Sequence, residues 1–178
     1  MIRENQHSIG RMAKTIILGM IALAMPLCAV GADTPPQVEL NTGKVGPRAV
    51  ESLTERSVLN GYRLAWENLA RALEANSVAP LNGSFVGTAN SWLYDRVMAQ
   101  RRSGLTSRYL NQHHKLDAIF YAPEGDVIEL HDTADYDLQV LDGDKTVHDD
   151  HVVIHYVVLM TPGSDRWVIR QMQAVPQF

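Results

Sequence analysis

The stretch from Asp149 to Phe178 leaves this chain few folds to choose from. It holds a β-branched and aromatic run, Val152 to Met160, then Thr161-Pro162-Gly163-Ser164-Asp165, then a second run from Arg166 to Val175. Two such runs around a short Pro-Gly turn specify a β-hairpin, because Pro presets φ and Gly supplies the freedom the reversal needs. Val152–Met160 is nearly continuous apolar sequence, which predicts a strand buried on both faces. A hairpin this apolar needs cover from upstream, and the upstream chain supplies helices. No stretch carries a motif that identifies a reaction.

Ser52-Leu53-Thr54-Glu55 has the form of a capping box, in which side chains satisfy the free amides at a helix start. Val58, Leu59, Tyr62, Ala65, Trp66, Leu69 and Leu73 then recur at helical spacing and predict a first helix ending near Asn76. Glu67 and Arg71, four apart, are expected to pair on its solvated face. Residues 78–86, with Pro80 and Gly83, form an irregular connection. A second helix is expected from near Thr88 or Ser91 to Ser103, with Trp92, Leu93, Val97 and Met98 inward and Gly104 as a left-handed cap. Arg96, Arg101 and Arg102 suit the negative end of that helix dipole. Beyond Tyr109 the period shortens: strands are expected over Leu116–Tyr121, Val127–Leu130 and Tyr136–Leu141, with a turn at Asp142–Lys145. The order predicts an α+β domain, two N-terminal helices on a curved, mainly antiparallel sheet of four or five strands.

Residues 1–32 have the form of a secretory signal. Arg3, Arg11 and Lys14 precede eighteen uncharged residues, and Val30-Gly31-Ala32 offers small side chains to a signal peptidase. The alternative is an uncleaved anchor, since eighteen residues approach a membrane span. Export to the periplasm or the medium is the expected localisation. Residues 33–51, with Pro, Gly and Thr but no period, are expected to be a flexible linker, and residues 52–178 the domain. The single cysteine, Cys28, lies in the apolar run behind Pro26-Leu27, which argues against lipid attachment. Once residues 1–32 are removed, no disulfide, thiolate nucleophile or sulfur ligand remains. The remainder carries 13 Lys+Arg against 19 Asp+Glu, a formal charge of −6. That balance argues against nucleic acid as a partner and gives no polybasic membrane patch.

Tyr62 and Trp66 in the first helix, Trp92 in the second, the Tyr156–Met160 strand and the closing Arg166-Trp167-Val168-Ile169 together resemble the nuclear transport factor 2-like superfamily. The resemblance covers roughly residues 52–175. It implies a cone whose sheet wraps the helices around a pocket. Members include isomerases, dehydratases and polyketide-cyclase-like enzymes acting through Asp, Tyr or His in that pocket, and also noncatalytic binding and dimerisation modules. No motif here carries one of those catalytic residues onto a numbered position, so the resemblance speaks to fold and leaves activity open.

His148, His151 and His155, with Asp149 and Asp150, suggest a metal cluster by composition. Geometry argues against it: His151 and His155 on one strand are roughly 13 Å apart, whereas zinc ligands lie about 2 Å from the ion. No metal and no cofactor are expected. His131 and Asp132 are neighbours and so face opposite sides of a strand, with Asp132, Ala134 and Tyr136 sharing one face. An acid–base pair could form between Asp132 or Asp135 and His155 across strands; a polar edge with solvated charges is the simpler expectation. Tyr136, His155 and Arg170 are the side chains assigned to a ligand, with Arg170 sharing a face with Val168 and Met172. The composite expectation is an exported, noncatalytic domain that binds a small apolar ligand or a protein partner through its cone or sheet face. The alternatives are a small-molecule isomerase, dehydratase or cyclase, and a structural module that dimerises through the sheet face.

Overall fold

The structure, a computed structural model, describes residues 34–178. The signal segment expected over 1–32 lies outside the described residues. The elements run β1 (Gln37–Asn41), β2 (Gly46–Pro47), α1 (Ser52–Glu74), α2 (Gly87–Ser103), β3 (Leu105–Tyr121), β4 (Ile128–Asp142), β5 (Lys145–Pro162) and β6 (Trp167–Val175). One mixed sheet of six strands has the order β1-β3-β4-β5-β6, with β2 on the far part of β3. β3 through β6 are antiparallel, and β1 and β2 add to β3 in parallel.

That parallel edge corrects the linker expected over residues 33–51. Gln37 to Asn41 pairs with His113 to Asp117, and Pro36 just before it is buried. Val38 and Leu40 pack against the core on alternate positions. Sequence composition read as linker because the apolar run here is only three residues long when counted by twos.

α1 keeps the predicted stripe. Val58, Tyr62, Ala65, Trp66, Leu69 and Leu73 are all buried, each worth about 1.5–3 kcal/mol for a large side chain taken from water. Its start departs from expectation: Glu51 is the cap, Ser52 is already helical, and no side chain caps the free amides. Instead Glu51 accepts from Arg48 and Thr54. Arg63 takes Glu67 at 2.7 Å, one turn before the expected Arg71 partner, while Arg71 turns to the side-chain oxygen of Asn68. Gly61 is where α1 crosses β6; a Cβ there would sit 2.4 Å from the Trp167 carbonyl oxygen. α2 buries Ala89, Leu93 and Val97, and Gly104 ends it in the left-handed region at φ 75°. Trp92, expected inward, is 42% exposed. Gln100 joins the layers: its amide donates to the Leu73 carbonyl and Asn76, and its oxygen accepts from Ser107.

The strands are longer than expected and are phased by bulges. Tyr109 and His114 are five apart, so a regular strand would turn them to opposite faces. An extra residue between Leu110 and His113, with Asn111 at φ 51°, shifts the phase and sends both inward. A second bulge at Ile119 does the same for Ala118 and Tyr121, and a third at Arg170 for Ile169 and Met172. β5 is not buried on both faces. Tyr156, Val158 and Met160 are buried, whereas Val153 is 56% exposed and Val157 and Leu159 are half-buried. The helices cover one face of the sheet and leave the other to solvent, the usual state of an antiparallel sheet.

Candidate functional site

The inner face of the sheet carries the one buried ionisable cluster described. His114 comes from β3, Asp132 from β4 and Tyr62 from α1. The Tyr62 hydroxyl donates to Asp132 Oδ2 at 2.6 Å, and His114 Nδ1 lies 2.9 Å from the same oxygen. His114, Asp132 and Tyr62 are 1%, 0% and 0% exposed. Each strand follows its own alternation to bring them in: His114 with Leu116 and Ala118, Asp132 with Ala134 and Tyr136. Trp66 lies over His114, ring centroids 4.3 Å apart, and Tyr109, Tyr136 and Tyr156 stand about Trp66 at 6.4, 6.1 and 5.9 Å.

Electrostatics follow from this packing. Burial, then the Asp132 carboxylate, pushes the Tyr62 phenol well above its ordinary value. Burial likewise raises Tyr109 to about 12, opposed by the Arg96 guanidinium, which donates to its hydroxyl at 2.9 Å. Burial and the neighbouring Tyr109 raise Tyr156 to about 12, and burial with Tyr156 beside it raises Tyr136 further still. All four phenols are therefore neutral donors at ordinary pH. His114 Nε2, Asp132 Oδ1 and Trp66 Nε1 have no protein hydrogen-bond partner. Chemically, a carboxylate orienting an imidazole is a general acid–base arrangement, but here its approach is occupied by Trp66 and Tyr62.

The residues singled out from sequence are distributed differently. Asp132 is inside, in the cluster. His155 points to the outer face, where it bonds Thr133 at 3.1 Å, so the expected Asp132–His155 pair does not form. Its partner across the strands is Thr133, whereas Asp132 stands opposite Tyr156. Asp135 is also outward and lies 3.5 Å from His151 Nε2, with Asp137 3.0 Å from Nδ1. Tyr136 faces inward beside Tyr109. Arg170 is the bulge residue of β6 and is exposed, its carbonyl accepting from the Thr88 hydroxyl, whereas Tyr136 is buried. His148 and His151 lie on the exposed half of β5, and among the described residues no group of three His, Cys, Asp or Glu is placed to hold a metal ion.

Two helices lodged against the concave face of a curved sheet, with the Trp66–His114–Asp132 cluster between the layers, settle the architecture. The fold is a mixed α+β one of cone-like form, two helices on one face of an open sheet of six strands. No protein-family model and no curated protein matches the sequence. Among solved structures, the intermembrane space region of the chloroplast protein ARC6 superposes with a TM-score of 0.57 at 14% identity, over 72% of this chain and 98% of that one. A candidate dehydratase of the NTF2-like family from Streptomyces avermitilis aligns over 69% of this chain and 99% of its own, at 10% identity and a TM-score of 0.43. At such identities the likeness concerns the fold alone, and the cone of this chain has to be interpreted from its own side chains.

Proposed function

We propose that this cone is a noncatalytic binding domain, exported by its N-terminal segment, that takes a small ligand or a protein partner. The observation that carries it is the closure of the acid–base cluster. Tyr62 and His114 both spend themselves on one oxygen of Asp132, and Trp66 covers the imidazole at 4.3 Å. A reacting molecule would have to displace side chains that are at most 1% exposed and central to the core. Export is supported by the basic start, apolar run and small-residue end of residues 1–32. The outer sheet face, with Val153 exposed and Phe178 stacked on His131 at 4.3 Å, is where a second copy or another protein would seat.

The second reading, an isomerase, dehydratase or cyclase, is favoured by one specific feature: His114 Nε2 and Asp132 Oδ1 are buried and unpartnered. Both readings meet in one experiment. Small ketones are titrated into isotope-labelled protein while the Trp66 indole and His114 ring signals are followed, and deuterium exchange beside the ketone carbonyl is measured. The binding-domain reading expects both signals unmoved and exchange at the buffer rate. Saturable shifts of both, with exchange accelerated and lost in Asp132→Asn, would establish the enzyme instead.

A further inference from the structure

A cavity of about 330 Å³ opens outside the cone interior, between α1 and the chain leading into β1. Its size is at the lower end of small-molecule sites. Glu67, Ala70, Arg71 and Glu74 give it one wall, since residues three and four apart share a helix face. Thr34, Pro35 and Pro36 line it from the chain leading into β1, and the buried Tyr109 and Gln112 complete it.

The charges on the helical wall are unequally committed. Glu67 is held by Arg63 at 2.7 Å and Glu74 by Arg108 at 3.0 Å. Arg71 bonds only the neutral amide of Asn68, and among the described residues no carboxylate lies within ion-pair distance of it. The wall therefore offers one uncompensated guanidinium between two neutralised carboxylates. Guanidinium forks match carboxylates in geometry as well as charge. A second polar point is the side-chain amide of Gln112, a lining residue 5% exposed whose oxygen has no donor. That oxygen is enclosed, so the group a ligand meets there is the amide N–H, which donates to a hydroxyl or carbonyl oxygen. Pro35, Pro36, Ala70 and Tyr109 in the same lining suit a flat apolar body.

We propose that this cavity binds a small aromatic or cyclic carboxylic acid bearing a hydroxyl or carbonyl oxygen away from the acid. Arg71 takes the carboxylate, the ring lies on Pro35, Pro36 and Tyr109, and the hydroxyl oxygen accepts from the Gln112 amide. This rests on the binding-domain reading and supplies its ligand class.

The test uses the full chain and four probes: 4-hydroxybenzoate, benzoate, 4-hydroxybenzyl alcohol and acetate, followed by backbone amide shifts. The expected result is saturable movement of Arg71, Tyr109 and Gln112 with 4-hydroxybenzoate. Its affinity should exceed that of the alcohol about tenfold, as a partly solvated charged hydrogen bond allows. Benzoate should fall between, and acetate should not saturate. Arg71→Gln should erase the preference for acid over alcohol, and Arg71→Lys should restore part of it; both should keep the wild-type urea midpoint, because Arg71 is exposed. Binding indifferent to Arg71→Gln, or shifts confined to other surfaces, overturns the proposal. If no probe moves these residues while Trp66 and His114 stay silent, this site fails and the binding-domain reading stands. If Trp66 and His114 move with ketone exchange, it is that reading which fails.

Discussion

The two faces of the sheet use the same residue types to opposite ends. His114 and Asp132 meet on the inner face at 2.9 Å with no solvent, and His151 meets Asp137 on the outer face at 3.0 Å with its side chain 61% exposed. Neighbours in sequence are sorted the same way: His113 goes out and His114 in, His131 out and Asp132 in. Distance is nearly equal, so environment decides the consequence. Losing one partner of a buried pair strands the other without water, whereas exposed pairs are hydrated before and after. A His–carboxylate pair in this fold is a structural commitment inside the cone and a solvated contact outside it.

That contrast can be broken at graded points. Trp66→Ala should do most, since it removes the ring over His114 that four tyrosines surround; about 3–5 kcal/mol is expected, and a urea melt measures it. Wild-type stability with lost ligand binding would instead make Trp66 a binding residue. Gly61→Ala should cost about 1–3 kcal/mol, because the new methyl meets the Trp167 backbone and helix and strand must part; the same melt reads it.

High pH probes the interior again. The raised phenols Tyr109 and Tyr156 stay protonated in the folded state up to about 12, while unfolded tyrosine ionises near 10. Above pH 10 the unfolded chain binds fewer protons, so stability is intact below 10 and falls as pH rises toward 12, by on the order of 2 kcal/mol for Tyr109. Urea midpoints at pH 9, 10 and 11 should show that decline.

The outer face should give the smallest effects. Asp137 is lowered by Asn111 and then His151, and His151 is raised by Asp137 and then Asp135. Their contribution is therefore present above the unfolded aspartate value and below the unfolded histidine value. It is lost as pH falls through the lowered Asp137 pKa or rises through the raised His151 pKa. His151→Ala should leave the urea midpoint at pH 7 unchanged.

The sequence displayed the cone's framework more fully than its interior. The Trp66 stripe, the Gly104 cap and the closing hairpin follow local rules of period and turn chemistry, and they stand where those rules put them. Alternation puts Asp132 on one face with Ala134 and Tyr136, but the charge around it suggests a solvated edge, and only the structure turns that face inward. Its partner was not visible, because His113-His114-Lys115 looks like a polar approach to a strand starting at Leu116. Alternation back from Ala118 and Leu116 would have reached His114. Tyr109 needed the Asn111 bulge to be known, and a bulge leaves little mark in sequence beyond a residue that tolerates positive φ. β1 was missed since its partner strand, not its own composition, makes it a strand. The cavity at Arg71 depends on which of several arginines find carboxylates, which spacing alone misassigned to Arg71 and Glu67.

The most direct test of the account is a pair of double-mutant cycles in urea, His114/Asp132 on the inner face and His151/Asp137 on the outer. If the buried set exists to hold the cone, the inner cycle should show a coupling energy of roughly 2–3 kcal/mol and the outer cycle none that is measurable. An inner coupling no larger than the outer one would contradict it, and would mean that His114 and Asp132 are placed together for chemistry rather than for the fold.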